Sequence, residues 1–435
     1  MPRDEGTGEA GKPPPPEVPA ARTSRASEPP PPRSFDGLSG RALLDAVLAD
    51  AVAAETDTVL IEPRGEAGRV RHRRDGVLMV RAQLAAGLNA GLVAELRRIA
   101  ELPAPGSRVP ESGLFNVRVN GRSRSISIEI VPTLRGESAR LGILAMARPT
   151  HALESLGMEP RTYGRFRARL QERRGLVLAT GPLRSGKSLL QYLSLQSIAG
   201  PDVSIMIAED PPQFDFPEAG QVACDFARGL TFAACARSFV RADADVFMVG
   251  EIRDYETAEA VIQAVLQGRM AFAGMHTSSA PATLGRLLDM GVEPYQLRAS
   301  VAMIANLRQV RVLCNACKQV VAVTPGVVQE MRIDSALLDR LELSDVDRDP
   351  MRVGRAGSGC AACAGTGYHG RTGLFELLEM SEELGEAVSR SARRSELVAI
   401  ALAGGMLTTR MSGLRKALLG ITSLEEVVRV THRDP

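Results

Sequence analysis

One stretch limits what this chain can fold into more than any other: Ala179-Thr180-Gly181-Pro182-Leu183-Arg184-Ser185-Gly186-Lys187-Ser188. A Gly-x-x-x-x-Gly-Lys-Ser run forms a tight loop, since Gly181 and Gly186 let backbone N–H groups turn inward with no Cβ in the way. Around a polyphosphate, Lys187 reaches the outer phosphates and the Ser188 hydroxyl is a magnesium ligand, while Pro182, Leu183, Arg184 and Ser185 complete the wrap. The flanks agree with this reading. Gly175 to Ala179 is a short apolar run suited to a buried parallel strand; Lys187 to Ile198 has neither proline nor glycine and ends at Gly200, as a helix does. Strand, glycine loop and helix in that order predict ATP or GTP with Mg²⁺.

A chain of 435 residues, 44% of them apolar, can build two or three cores. Its 53 basic and 51 acidic residues leave a net charge of +2, so bulk charge gives no reason to expect nucleic acid or an anionic membrane as partner. No apolar run approaches the roughly 20 residues that cross a bilayer, and Met1-Pro2-Arg3-Asp4-Glu5 lacks the apolar core of a signal peptide. A cytoplasmic or peripheral chain is expected.

Residues 1–33 hold ten prolines and almost no large apolar side chains, which predicts a disordered, spacer-like tail over 1–37. A mixed α/β domain is expected over 38–148: a helix from Arg41 to Ala54, a strand from Asp57 to Glu62, and a hairpin over Val70 to Val80 turning at Asp75-Gly76. Pro149, Gly157 and Pro160 mark Ala145 to Arg161 as a hinge, and a nucleotide domain fills 149–435.

Three later apolar runs each end in a polar residue. Val203 to Ala208 leads to Glu209, Val246 to Gly250 leads to Glu251, and Ala271 to Met275 leads to His276. In a parallel sheet the carboxyl ends of the strands converge on the ligand, so these three should meet the phosphates. Taken singly, each has a plainer reading: Glu209 paired with an arginine, Glu251 as a helix cap, His276 as a satisfied core histidine. Between the last two strands Asp254 suits a helix N-cap and Gly268 its stop, with Ala258, Val261, Ile262, Val265 and Leu266 as the apolar stripe.

These segments carry a family resemblance. Glu209-Asp210-Pro211, Arg237-Ser238 to Arg241, Asp243 to Asp254 and Met275-His276-Thr277 resemble the Asp box, Walker B and His box of the secretion ATPases, the hexameric motors of type II secretion and type IV pilus assembly. The resemblance runs from about Arg41 to Thr431. It implies an α/β chain: a mixed α/β first domain, a RecA-like parallel-sheet ATPase domain, a zinc-binding insertion and C-terminal helices over about 380–435. It also implies a catalytic set of Glu251 to polarise water, Glu209 as the Asp-box acid, His276 to sense the γ-phosphate, and Arg237 and Arg241. The implied setting is a homo-hexamer, peripheral at the cytoplasmic face of the inner membrane, partnered by platform and recruitment proteins, with no direct nucleic acid. Two other readings stay open: a weakly active nucleotide-binding scaffold of the same ring, and the motor of a DNA uptake or transport apparatus.

Cysteine spacing points to a metal independently. Six cysteines are too few for a disulfide scaffold, but Cys314-Asn315-Ala316-Cys317 and Cys360-Ala361-Ala362-Cys363 are two knuckles of the spacing that grips one tetrahedral Zn²⁺. Four thiolates make a closed, structural site. The following Gly365-Thr366-Gly367 to Leu377 resembles the segment after the second pair in secretion and pilus extension ATPases, and retraction motors generally lack the module. Cys224 and Cys235 have no partner in the sequence pattern and are expected simply to be packed.

Several positions depart from the family. Leu183 and Arg184 replace a small polar residue and a glycine within reach of phosphate, where Arg184 either crowds the loop or supplies a cation. Ser127 and Gly142 stand where relatives carry two first-domain arginines directed at ATP. Leu60 replaces a frequent histidine, and Leu307-Arg308-Gln309 departs from Gln-Arg-Leu.

Overall fold

The computed structural model describes residues 35–431 apart from 36, 66, 105, 107, 120, 145–148, 150 and 344–350. The predicted tail therefore lies almost wholly outside the described residues, as does the beginning of the predicted hinge.

Alternating apolar residues build the first domain as a sheet. After α1 (Gly40–Ala53) come β1 (Thr58–Arg64), β2 (Ala67–Arg74) and β3 (Val77–Leu84), then α2 (Leu88–Ile99), β4 (Glu111–Val119), β5 (Arg122–Thr133) and β6 (Gly136–Leu144). The strands lie in the order β3-β2-β1-β6-β5-β4 and every pair is antiparallel. The predicted hairpin turns where expected: Asp75 and Gly76 both have positive φ, 49° and 77°, as a two-residue primed turn requires. Val59, Ile61, Ile126, Ile128 and Ile130 face Leu43, Leu44, Val47 and Leu48 of α1 and Leu92 and Leu96 of α2. Leu48→Ala would cost about 2–5 kcal/mol here, because the side chain is fully buried. The opposite face of this sheet carries Thr58, Ser127 and Gly142 and looks toward the second domain.

The second domain follows α3 (Pro160–Gln171). It contains β7 (Gly175–Thr180), α4 (Lys187–Ile198), β8 (Ile205–Glu209), β9 (Gly220–Ala223), α5 (Phe232–Arg241), β10 (Val246–Val249), α6 (Tyr255–Leu266), β11 (Met270–Met275) and β12 (Val301–Leu313). After a small antiparallel pair, β13 (Gln319–Ala322) and β14 (Arg352–Arg355), the chain returns as β15 (Tyr368–Glu379). The sheet order is β15-β12-β7-β11-β10-β8-β9, parallel throughout except for β15. Strands covered on both faces read as unbroken apolar runs, and every residue of β10 and β11 is buried.

Helix α6 is bounded as its sequence predicts. Asp254 accepts from the Thr257 N–H, and Gly268 beyond the end has φ 93°. Ala258, Val261, Ile262 and Val265 are buried, whereas Leu266 is exposed and falls outside the stripe. Past β15 the last helices are Glu382–Ser389, Arg394–Ala403, Thr409–Leu418 and Leu424–Val430. Leu414 and Leu418 join Met331, Leu338, Leu341 and Val353 in a small core under the segment between the cysteine pairs. Lys416 is anchored to Glu159 at 2.6 Å in the buried join before α3.

Candidate active site

The loop from Gly181 to Ser188 sits at the carboxyl end of β7 and opens α4, so its N–H groups and the positive end of the helix dipole address one spot. Space as well as φ fixes its first glycine: at φ 137°, a Cβ on Gly181 would lie 2.4 Å from the Leu307 carbonyl oxygen of β12. Within the loop the Ser185 hydroxyl is buried with no protein partner, as a donor directed at a bound phosphate would be. Leu183 points to solvent, 71% exposed, and Arg184 is left-handed with φ 63°. Its side chain leaves the cradle and donates from Nη2 to Thr58 Oγ1 of the first domain at 2.9 Å. Arg184 therefore rests at the wall of the cleft, against the first domain, rather than within the phosphate cradle.

Lys187, His276 and Glu251 form a chain across the cleft. Lys187 Nζ lies 3.2 Å from His276 Nδ1 and 3.1 Å from the carbonyl oxygens of Gly181 and Pro182. His276 Nε2 lies 3.3 Å from Glu251 Oε1, and Arg253 Nε donates to Glu251 Oε2 at 2.9 Å. Nδ1 sits between the Lys187 ammonium and the Gly181 carbonyl oxygen, 3.1 Å away, so it accepts from the first or donates to the second according to the tautomer, while Nε2 is the nitrogen turned to the Glu251 carboxylate. Burial pulls the Lys187 ammonium down to about 8, against the opposing pull of Glu251. Neither plainer reading applies: Asp254 caps α6 instead of Glu251, and His276 is exposed to the cleft rather than sealed in a core.

Glu209 ends β8 as predicted, but its side chain turns inward. Tyr192 on α4 donates to it at 2.5 Å and the Gln213 N–H at 3.1 Å. Burial pushes its carboxyl up to about 7, opposed by those two hydrogen bonds. No arginine pairs with it among the described residues; Tyr192 is the group the alternative reading did not foresee. Arg237 and Arg241 are not brought to the cleft at all. Both are exposed on α5, and Arg237 donates to Glu256 of α6 at 2.7 Å.

The hollow between these groups measures 460 Å³ and has walls from both domains. Thr58, Ser127, Arg140 and Gly142 of the first sheet face Lys187, Ser188, Glu209, Asp210, Glu251 and His276. A nucleoside triphosphate fits a cleft of that size and charge. Ser127 and Gly142 both reach the cleft, and Arg140 is the cationic side chain beside them.

The four predicted cysteines converge although 46 residues separate the two pairs. Their sulfur atoms all lie within 4.8 Å of one another, with Cys314–Cys360 at 3.7 Å, Cys317–Cys363 at 3.9 Å and Cys360–Cys363 at 3.7 Å. A tetrahedron with Zn–S of about 2.3 Å has S–S edges of about 3.8 Å, so the donor set fits Zn²⁺. The N–H groups of Cys360 and Gly367 each donate to Cys363 Sγ at 3.2 Å, which favours the thiolate.

Several contributors escape sequence reasoning. Asn306 of β12 donates to Thr180 Oγ1 at 2.9 Å and to the Thr277 carbonyl at 3.3 Å, tying the ends of β7 and β11 together behind the loop. Arg371 of β15 crosses to Asp57 at 3.1 Å and Asp75 at 3.0 Å. The only local signal was polarity on an apolar strand, at Asn306; pairs such as Arg371 and Asp57 leave none.

Residues 38–429 match the family model described as type II/IV secretion system protein. The chain is 34% identical over 397 residues to a type IV pilus assembly ATPase, PilB, of Myxococcus xanthus, covering 90% of this chain and 68% of that one. It is 34% identical over 392 residues to type II secretion system protein E of Pectobacterium carotovorum, covering 90% and 76%. The fold is shared with the ATPase DotB of Legionella pneumophila, with a TM-score of 0.65 at 15% identity over 91% of this chain and 96% of that one. A matching family model over nearly the whole described chain, and relatives of this similarity on either side of the pilus and secretion divide, lead to one conclusion: the chain belongs to the type II/IV secretion system protein family and is an ATPase.

Proposed function

We propose that this chain is the ATP-hydrolysing motor of a protein secretion or type IV pilus-like assembly machine. The Lys187–His276–Glu251 chain at the mouth of the phosphate loop carries the reading, since it joins the phosphate cradle to a carboxylate that can address water. Phosphoryl transfer needs positioning and charge stabilisation more than covalent help. The loop N–H groups and Lys187 hold the β- and γ-phosphates; Glu251 polarises the attacking water, oriented by Arg253 and His276. His276 reports the γ-phosphate by exchanging its bond to Lys187 for one to phosphate. Ser188 would hold Mg²⁺, which supplies positive charge to the phosphate oxygens when bound. Glu209 fixes the wall beside Asp210 through Tyr192 and the Gln213 N–H. Cys314, Cys317, Cys360 and Cys363 would hold a structural Zn²⁺.

The same reading places the chain as a homo-hexamer peripheral to the cytoplasmic face of the inner membrane, engaged by platform and recruitment proteins. No helix among the described residues is long and apolar enough to cross a membrane. Two closely similar relatives are named for pilus assembly and type II secretion, which supports the assignment. Arg237 and Arg241 stand outside their own chain's cleft, so any catalytic part they take is on a neighbouring subunit. The two separate sheets support domain limits at 38–148 and 149–435.

Steady-state phosphate release tests the proposal. Lys187→Ala and Glu251→Gln should each lower turnover by about 10²–10⁴-fold. Wild-type turnover no higher than either variant, under conditions that assemble the ring, would sink it.

A further inference from the structure

Ser127, Gly142 and Thr58 are direct partners across β5, β6 and β1, so they share one face of the first sheet. All are small, and a Cβ on Gly142 would lie 2.4 Å from Ser127 Oγ, so a side chain there would have to displace that hydroxyl. The row forms a shallow seat facing the nucleotide cleft. Arg184 reaches this seat from the phosphate loop, with Nη2 2.9 Å from Thr58 Oγ1, and Thr58 beneath it is only 1% exposed.

The guanidinium is poorly matched where it rests. Its hydrogen-bond partner is a neutral hydroxyl, while Arg73, the direct strand partner of Thr58, and Arg140 both stand close. The third neighbouring cation, Arg371, already takes up Asp57 and Asp75. Burial first, then the fields of Arg140 and Arg73, hold the Arg184 pKa below its ordinary value, with Asp57 pulling the other way. Phosphate oxygens form charge-assisted bonds about twice as strong as a hydroxyl offers, and Arg184 belongs to the loop that wraps them and lines the same cleft.

We propose that Arg184 is a positioning residue: seated on Thr58, it latches the first domain over the cleft, and the phosphates of an incoming nucleoside triphosphate take over the same guanidinium and release the latch. The inference rests on the nucleotide reading above. A latched chain must give up the Thr58 bond to bind, so its apparent affinity is reduced by the fraction latched.

A double-mutant cycle on the full chain tests this, with binding of the magnesium complex of a non-hydrolysable ATP analogue as the readout. Thr58→Val should tighten binding by about fivefold when residue 184 is arginine, and by less than about 1.5-fold in the Arg184→Gly background. Thr58→Ser keeps the hydroxyl and should restore wild-type affinity. Thermal unfolding of each variant shows that the comparison is between folded chains. Equal effects of Thr58→Val in both backgrounds, or Thr58→Ser behaving like Thr58→Val, would overturn the latch while leaving the nucleotide site standing. Wild type binding no better than Lys187→Ala would overturn the nucleotide reading, and the latch with it.

Discussion

The sulfur atoms of Cys314, Cys317, Cys360 and Cys363 face one another within 4.8 Å, whereas the groups around Lys187 come from two domains and face a hollow of 460 Å³. The first arrangement is closed: every donor points at the other donors, and two short covalent spacings bring them there. The second is open, and its electrostatics depend on what crosses the domain boundary. The closed site is therefore fixed by local sequence, while the open cleft draws Ser127, Gly142 and Arg184 to its mouth from distant stretches of the chain.

The largest expected effect breaks the closed side of that comparison. Cys360→Ser, or treatment with a strong chelator, should forfeit the proposed structural zinc binding, worth roughly 10 kcal/mol in small zinc domains. The segment from Cys314 to Cys363 should become protease-sensitive and lose bound zinc by elemental analysis, while nucleotide binding at the distant loop changes by less than about twofold. A matching loss of nucleotide binding would show that the two regions are not independent.

Glu209 comes next. Its carboxyl lies at about 7 in the folded chain against 4.5 for its ordinary value, so folding favours the neutral acid. Its contribution is complete below the unfolded value and is lost as pH rises through about 7. Wild-type stability should fall by up to about 3 kcal/mol across that window, and Glu209→Gln should flatten the profile of denaturation midpoint against pH. An unchanged slope in the variant would assign the pH dependence elsewhere.

Lys187 gives a smaller, graded effect. With its ammonium lowered to about 8 by burial, nucleotide affinity should decline as pH rises beyond that value, approaching about tenfold per pH unit. Titrations between pH 7 and 9.5 read the break directly. Smallest is Arg237→Ala, whose partner Glu256 lies outside the cleft: nucleotide affinity of the isolated chain should move by less than about twofold. A larger loss would bring α5 into the cleft of its own chain.

Much of this was legible in the sequence, and the limits have physical causes. Short-range signals held: the glycine loop, the Asp75-Gly76 turn, the Asp254 cap and the cysteine pairs each depend on neighbours within a few residues. Strand ends placed Glu251 and His276 because a parallel sheet delivers its carboxyl ends to one edge. The same rule placed Glu209 at that edge but did not say which way its side chain turns, which Tyr192 decides from another helix. Arg184 with Thr58, and Arg371 with Asp57, are separated by 126 and 314 residues, and no periodicity links such positions. Arg237 fell outside the cleft because helix phase, fixed by the buried Phe232, Ala236 and Phe239, turns it toward Glu256.

Strand β12 links the two sites in one continuous piece of chain. Its thirteen residues span roughly 43 Å, starting beside β7 and ending one residue before Cys314. The Leu307 carbonyl oxygen lies 2.4 Å from where a Cβ on Gly181 would be, so the phosphate loop bears on this rod near its midpoint. Because β12 is hydrogen-bonded to β7 on one side and to β15 on the other, the strand that backs the phosphate loop is also the one that delivers the first cysteine pair to its partner just ahead of β15.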